Sequence, residues 1–212
     1  MPVLRDGDVS VRAIRVRDAR ELESGLLRNR HWLQRWEATD PSGVRSGDAR
    51  AGIRALLQNA RAGGGLPLVM EHRGRFAGTL NVSGFTYGSL SLASLGYWVG
   101  KDFAGLGVTP TSVALVTDYC FQGLGLHRME ICIRPENAPS LRVVQKLGFR
   151  YEGLRRRYIH IDGDWRDHFC FALVREEIPG GVLARWRAGQ VPLDAATVPP
   201  ADVQRSQETG WF

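Results

Sequence analysis

The 212-residue chain contains no uninterrupted apolar stretch of the ~18 residues that a transmembrane helix requires, so we expect no membrane-spanning segment. Residues 1–6 carry no apolar segment behind a basic start, and a secretory signal is therefore not expected. Together these absences predict a cytoplasmic protein that does not act at a membrane.

Cysteine is scarce, and none of the three cysteines belongs to a CxxC pair. Each lies in an apolar periodic segment, which predicts buried, reduced thiols: Cys120, Cys132 and Cys170. A structural zinc site needs about four closely spaced ligands. No such spacing is present, and four of the histidines are scattered along the chain: His31, His72, His127 and His160. We therefore predict that the protein has no metal site.

Lysine is almost absent, since Lys101 and Lys146 are the only two, and arginine supplies nearly all of the net charge of +6. A basic surface attracts polyanions such as nucleic acid, ribosomes or the phosphates of a cofactor. A solvated arginine-rich surface explains the same composition equally well. Aromatic and arginine residues are not interleaved on one stripe, so sequence-specific binding of nucleic acid is the least favoured interpretation.

Apolar periodicity predicts a mixed sheet with helices on its faces. Strands are predicted over 8–14, 66–72, 76–82, 95–99, 129–133, 153–161 and 165–174. Helices are predicted over 19–29 after Asp18 as the N-cap, around Trp32 to Trp36, over 47–62, from Pro110 with Thr109 as the N-cap, and from Asn137 to Gly148. We assign residues 1–178 to one domain and residues 179–212 to a loosely packed C-terminal extension.

Two segments carry the chemistry. In the first, the strand at Tyr97, Trp98 and Val99 is followed by a glycine loop and a helix start: Gly105, Leu106, Gly107, Val108 and Thr109. Backbone N–H groups in such a loop can bind a phosphate, although a GxG sequence alone more often marks an ordinary loop–helix junction. In the second, Asn137 and Ser140 precede Lys146–Phe149. Asn137 could merely cap its helix, and Ser140 could merely be a first-turn residue.

Together these segments resemble the GNAT superfamily of N-acetyltransferases, and within it the RimJ/RimL-like branch. The resemblance extends from about residue 9 to residue 177 and includes the hairpin with Gly163, Trp165 and Asp167. It implies an α/β (α+β) GNAT fold: a twisted, mixed, mostly antiparallel sheet of about seven strands with one splayed pair and helices on both faces.

The resemblance also implies roles for individual residues. Acetyl-CoA would contact the strand at Tyr97, Trp98 and Val99, the loop from Gly105 to Thr109, and the pair Asn137 and Ser140. Ser140 would protonate the departing sulfur, with Tyr151 and Tyr158 as alternatives. Trp36 and Glu37 are the expected acceptor-site residues. The general base stays open among Asp164, Asp167, His168 and Glu37.

One departure from the family concerns Asp102, which replaces the usual Arg or Gln at the start of the phosphate loop. A carboxylate near an anion is unfavourable unless it faces solvent, so phosphate binding would depend on backbone N–H groups, with Lys101 nearby.

The function that the resemblance implies is direct acetyl transfer from acetyl-CoA to an amine, with the N-terminal α-amine of a ribosomal protein or peptide as the leading acceptor. A small amine such as an aminoglycoside or polyamine is a second interpretation. A third is an acetyl-CoA-binding module without catalysis. The chain is expected to be a monomer or a homodimer.

Overall fold

The computed structural model describes residues 1–42 and 48–208. Its strands, in chain order, are β1 (Leu4–Asp6), β2 (Val9–Ala13), β3 (Gly65–His72), β4 (Arg75–Thr86), β5 (Leu92–Val99), β6 (Arg128–Ile133), β7 (Arg150–Ile161) and β8 (Asp164–Val174). They form one sheet in the order β1-β2-β3-β4-β5-β6-β8-β7, in which only the β5–β6 pair is parallel. This confirms the predicted sheet, with one strand more than expected. The extra strand is β1, which is too short to show an alternating pattern.

Helices cover both faces of this sheet. Those in the described residues are α1 (Ala19–Arg28), α2 (Arg30–Leu33), α3 (Ala49–Arg61), α4 (Val108–Gln122), α5 (Ala138–Leu147), α6 (Val182–Arg187) and α7 (Pro200–Gln207). On β3, Leu68 and Met70 join the main core together with residues of α4, whereas Val69 packs with Ile53 of α3 on the opposite face. This alternation follows from the two-residue period of a strand.

The parallel strands β5 and β6 separate after a short paired region, which ends at Ser94 and Glu130. Beyond that point β5 stays paired with β4 as far as Val99, and β6 stays paired with β8 as far as Ile133. A bulge at Gly84 of β4 (φ 66°) lies opposite the paired region, and bulges increase the local twist of a strand. The predicted splayed pair is thus present, and within the described residues one edge of β5 has no strand partner there.

The sequence correctly predicted the two ends of α5 and the turn of the last hairpin. Asn137 Oδ1 accepts a hydrogen bond from Ser140 N (3.2 Å), and Gly148 ends the helix in the left-handed conformation (φ 69°). Asp162 and Gly163 both have positive φ (51° and 86°), as a type I′ turn requires.

The predicted start of α4 was wrong by two residues. Gly107 is the N-cap and Val108 the first helical residue, so Thr109 and Pro110 lie within the first turn. Pro110 is tolerated there because a first-turn N–H has no acceptor within the helix.

Asp18 precedes α1 as predicted, but its carboxylate does not cap that helix. It accepts hydrogen bonds from Arg12 Nη1 (2.8 Å) and from Arg15 N (2.7 Å) instead. The carboxylate therefore ties β2 to the turn that leads into α1, a contact that only the paired sheet reveals.

Two other helix bounds differ from the prediction. The helix expected over 47–62 begins at Ala49 with Asp48 as its N-cap, and residue 47 lies outside the described residues. The stretch expected to continue through Trp36 ends as a helix at Leu33. No helix in the described part of the chain is long and apolar enough to cross a membrane.

The segment after Pro179, which the sequence predicts to be a loosely packed extension, contributes residues to the main core. Val182 is fully buried and Ala196 is 6% exposed, and both belong to the main core. Asp118 of α4 accepts hydrogen bonds from the first two amides of α6, Val182 N (2.6 Å) and Leu183 N (3.1 Å). The proline and small residues of this segment indicate an irregular backbone, but they do not show which of its side chains are buried. Residues 209–212 lie outside the described range, and the domain boundary at 178 stays a prediction.

Replacing Asp118 with alanine should destabilise the fold, because it leaves two α6 amides without acceptors. We expect the free energy of unfolding to fall by about 2 kcal/mol, within the range of about 1–3 kcal/mol for an unpaired buried polar group. Urea denaturation measures the change. Asp194→Ala is the control, since Asp194 is exposed and its side chain makes no hydrogen bond within the described residues. Equal stability of Asp118→Ala and the wild type would show that α6 is not anchored by this carboxylate.

Candidate active site

A cleft of about 320 Å³ opens where β5 and β6 diverge. Its walls come from the α1–α2 segment, from β4, β5 and β6, from the start of α5 and from the β7–β8 hairpin. Six residues that the sequence assigns to the site line it together: Trp36, Glu37, Tyr97, Trp98, Asn137 and Ser140. The fold therefore brings the two expected signature segments and the expected acceptor residues to one place.

Ser140 and Tyr97 form a hydrogen-bonded pair in this cleft, with Ser140 Oγ donating to Tyr97 Oη over 2.9 Å. The Asn137 cap fixes the backbone of Ser140 at the start of α5. Burial raises the pKa of Tyr97 to about 12, and the hydrogen bond from Ser140 only partly opposes this shift. Tyr97 therefore keeps its proton at neutral pH and can act as a proton donor.

His168 of β8 also lines the cleft, although only 3% of the residue is exposed. Its Nδ1 lies 2.9 Å from the carbonyl oxygen of Arg166. Burial lowers the pKa of His168 from its ordinary value of 6.5, against the hydrogen bond to Arg166, which raises it. The imidazole is consequently neutral at physiological pH.

The mouth of the cleft carries an aromatic ring that contacts two guanidinium groups. Arg35 and Arg134 lie over the ring of Trp36, with their central carbons 4.6 Å and 5.5 Å from its centroid. Glu37 is paired with Arg30 at 2.8 Å. The only carboxylate on the cleft wall is thus already neutralised within the described residues, and the cleft carries no negative surplus.

The predicted phosphate-binding loop lies outside this cleft, at the start of α4. Gly105 and Gly107 have φ values of 82° and 77°, and no atom beyond the adjacent residues lies within 4 Å of the position that a Cβ would occupy. Val108 and Thr109 are buried and anchor the helix start, whereas Leu106 is 53% exposed. The open glycine backbone and the first-turn amides fit a phosphate, and the assignment stays a prediction.

The unpaired edge of β5 fits an extended ligand that carries amide groups, such as the pantetheine arm of acetyl-CoA. Tyr97 and Trp98 lie on the part of β5 that is not paired with β6. Val99 does not line the cleft, and its carbonyl accepts a hydrogen bond from Trp32 Nε1 (3.1 Å). Asp102 is exposed in the turn before the loop, where solvent screens its charge. Lys101, also exposed, donates its backbone N–H to Asn29 Oδ1 (2.8 Å).

Three polar residues of the cleft wall were not among the predicted site residues, namely Thr79, Asn81 and Arg134. Asn81 Oδ1 is buried and has no hydrogen-bond partner within the described residues. The available signal was the alternation of β4, where Leu80 and Val82 enter the core and the intervening polar residues must face the other way.

Four residues that the sequence left open as an acid or a base do not line the cleft: Tyr151, Tyr158, Asp164 and Asp167. Tyr151 Oη donates to Asp202 of α7 (2.8 Å), and burial together with this carboxylate raises its pKa. Asp167 Oδ1 accepts from Arg157 N (2.8 Å) and so holds a bulge of β7 in place.

Two of the three cysteines are not isolated. Cys132 and Cys170 face each other across β6 and β8 with their sulfur atoms 2.9 Å apart, and Cys132 lines the cleft. Both are free thiols, as predicted, and the hydrogen bond between them together with burial raises the pKa of Cys132. Their proximity depends on strand register, which spacing along the chain does not reveal.

Comparison with known proteins agrees with this geometry. Residues 8–150 match the family described as "Acetyltransferase (GNAT) domain". The chain is 30% identical over 169 residues to the ribosomal protein uS5-alanine N-acetyltransferase of Escherichia coli, a match that covers 77% of this chain and 86% of that protein. It is 38% identical over 103 residues to the probable N-acetyltransferase YjcK of Bacillus subtilis, covering 49% of this chain and 57% of that protein, so this match spans little more than half of the relative.

A solved structure of Mycobacterium smegmatis RimJ in complex with CoA-disulfide superimposes with a TM-score of 0.80 at 36% sequence identity. The superposition covers 89% of this chain and 93% of that chain. It includes most of the described sheet and helices, and the similarity therefore concerns the whole architecture and not one motif.

Replacing Gly107 with alanine should weaken the binding of CoA if the loop holds the pyrophosphate. A Cβ in the left-handed conformation costs about 1–2 kcal/mol, which corresponds to an increase in Kd of about five- to thirtyfold if the free loop relaxes and the bound loop cannot. Gly88→Ala is a matched control, because Gly88 has nearly the same φ (76°) and the same open surroundings. Isothermal titration calorimetry with CoA measures both variants, and an unchanged Kd in Gly107→Ala would place the phosphates elsewhere.

Proposed function

Since the chain belongs to the GNAT acetyltransferase family and is an acyltransferase, we propose that it transfers the acetyl group of acetyl-CoA directly to the N-terminal α-amine of a ribosomal protein. The name of the Escherichia coli relative, a ribosomal protein uS5-alanine N-acetyltransferase, supports an α-amine on a ribosomal protein. A ribosomal acceptor would place the reaction in the cytoplasm.

The choice of an α-amine over a polycationic amine as the acceptor is based on the charge of the cleft. A polycationic aminoglycoside or polyamine needs an acidic pocket, but Glu37 is paired with Arg30, and Arg134 lies on the same wall. An α-amine titrates near pH 8, against about 10.4 for a lysine side chain, so roughly a tenth of it is already neutral at neutral pH. A cleft without surplus negative charge favours this neutral amine.

Residues of this chain would position the reactants and supply a proton. Acetyl-CoA, when bound, supplies the acetyl group as an activated thioester. Ser140 Oγ would give its proton to the departing sulfur, and Tyr97, protonated at neutral pH, would return one to Ser140. Rotation of the two hydroxyl groups reverses the hydrogen bond between them and allows this relay.

The cysteine in the cleft does not favour an acyl-enzyme. A nucleophilic cysteine needs a lowered pKa and an activating base. The pKa of Cys132 is raised, and its sulfur contacts the Cys170 thiol instead of a base. Direct transfer is therefore the proposed route.

Acetyl-CoA turnover with a panel of acceptors tests the function. We expect thiol release, and one acetyl group at the α-amine by mass spectrometry, with a peptide that begins with alanine. The same peptide with a blocked α-amine is the control and should give none. Turnover on a polyamine or aminoglycoside alone would assign the protein to small amines, and binding of CoA without turnover on any amine would identify a binding module.

Ser140→Ala should lower kcat by about 10²- to 10⁴-fold, the usual contribution of a general acid, while leaving the Kd for CoA nearly unchanged. Tyr97→Phe should lower kcat in the wild-type background but have no further effect in Ser140→Ala, because two residues that act through one proton path are not additive. Additive losses in the double variant would contradict the relay.

A further inference from the structure

The general base is the part of this reaction that the sequence left open, and the structure separates the four candidates. Asp164 and Asp167 do not line the cleft, whereas Glu37 and His168 do. The Glu37 side chain is 40% exposed and forms an ion pair with Arg30, so its carboxylate is already engaged by a cation. His168 is the cleft residue whose basic atom is not engaged by a charged partner in the described part of the chain.

The hydrogen bond of His168 defines its tautomer. A carbonyl oxygen can only accept, so the Nδ1 that lies 2.9 Å from Arg166 O must carry the proton. In a neutral imidazole the distal Nε2 then has the free lone pair. No described residue forms a hydrogen bond with Nε2, and the ring forms part of the cleft wall.

The surroundings keep this ring neutral and fixed. Burial is the largest influence on its pKa and lowers it, while Arg134 lowers it further and Glu136 and Asp167 raise it. The ring of Tyr158 packs edge-on against it, with centroids 6.0 Å apart. The charged and titratable groups around it are Glu37 and Arg134 of the cleft wall, Glu136, which is paired with Arg134, Asp167 of its own strand, and Arg155 and Tyr158 of β7.

We propose that His168 Nε2 is the general base that accepts a proton from the acceptor α-amine as the amine attacks the thioester. The C–N bond forms and the C–S bond breaks, Ser140 gives a proton to the sulfur, and His168 releases the amine's proton to solvent, from which the Ser140–Tyr97 pair recovers its own. The step is balanced without another reactant. The inference depends on the proposed acetyl transfer but not on which amine is the acceptor.

His168→Asn tests the role selectively, because the asparagine amide can still donate to Arg166 O in place of Nδ1, whereas no atom replaces Nε2. We expect kcat to fall by about 10²- to 10⁴-fold with an unchanged Kd for CoA. Added imidazole should restore part of the rate. On the acid side, the wild-type kcat should fall through two ionisations, that of the α-amine near pH 8 and that of His168 below the ordinary histidine pKa of about 6.5, whereas His168→Asn should show only the first.

His127→Asn is the control, since His127 is exposed, pairs with Glu176 at 3.0 Å and lies outside the cleft. It should leave kcat, its pH dependence and the response to imidazole unchanged. A purely structural role of His168 would change stability without imidazole rescue, and wild-type kcat and pH dependence in His168→Asn would overturn the proposal.

The ¹⁵N spectrum of the histidine side chains gives a second readout that does not depend on activity. At pH 7 we expect His168 to be neutral with the proton on Nδ1. A protonated Nε2, or a ring that is charged at pH 7, would refute the base whatever the acceptor proves to be. If the wild type acetylates only a small amine, the same variants are measured with that amine. The role of His168 is then tested even though the proposed acceptor is wrong.

Discussion

The separation of β5 from β6 after Ser94 and Glu130 is the constraint on which the candidate site depends. Two strands that stayed paired would leave no room between them, and the cleft residues of β5 and β6 would face each other directly. Each strand instead follows its outer neighbour, β4 or β8, and the gap becomes the cleft. The edge of β5 keeps backbone groups that need partners, so a ligand with amides of its own matches it.

The chemistry proposed for the cleft depends on neutral groups that are held by hydrogen bonds. Ser140 contacts Tyr97, and His168 contacts a carbonyl of its own strand. Buried polar groups without such partners would cost free energy and would shift their rotamers. Because the ion pair of Glu37 lies at the mouth, the interior of the cleft offers a proton donor and a proton acceptor but no fixed negative charge.

The sequence predicted the parts of this structure that local physics decides. The Asn137 cap, the Gly148 terminator and the Asp162–Gly163 turn depend on a few neighbouring residues, and all three were correct. The family resemblance supplied the strand splay, which no short-range pattern contains.

Contacts between distant segments could not be predicted in this way. Ser140 meets Tyr97 across 43 positions, and Cys132 meets Cys170 across 38. The packing of α6 on Asp118 was missed for the same reason, since a carboxylate in the middle of an apolar helix does not reveal which amides it will accept from. The choice of His168 among four candidate bases also required the packed structure, because only the cleft separates it from its neighbours on the hairpin.

Amide hydrogen exchange along β5, with and without CoA, tests the central claim most directly. The account predicts that alternate amides between Leu95 and Val99 exchange quickly in the free protein and become protected when CoA is added, whereas amides of Leu92 to Ser94 on the side of β6 are protected in both states. Equal protection along the whole of β5 in the free protein, or no change on adding CoA, would contradict the claim that the separated edge of β5 is the binding site.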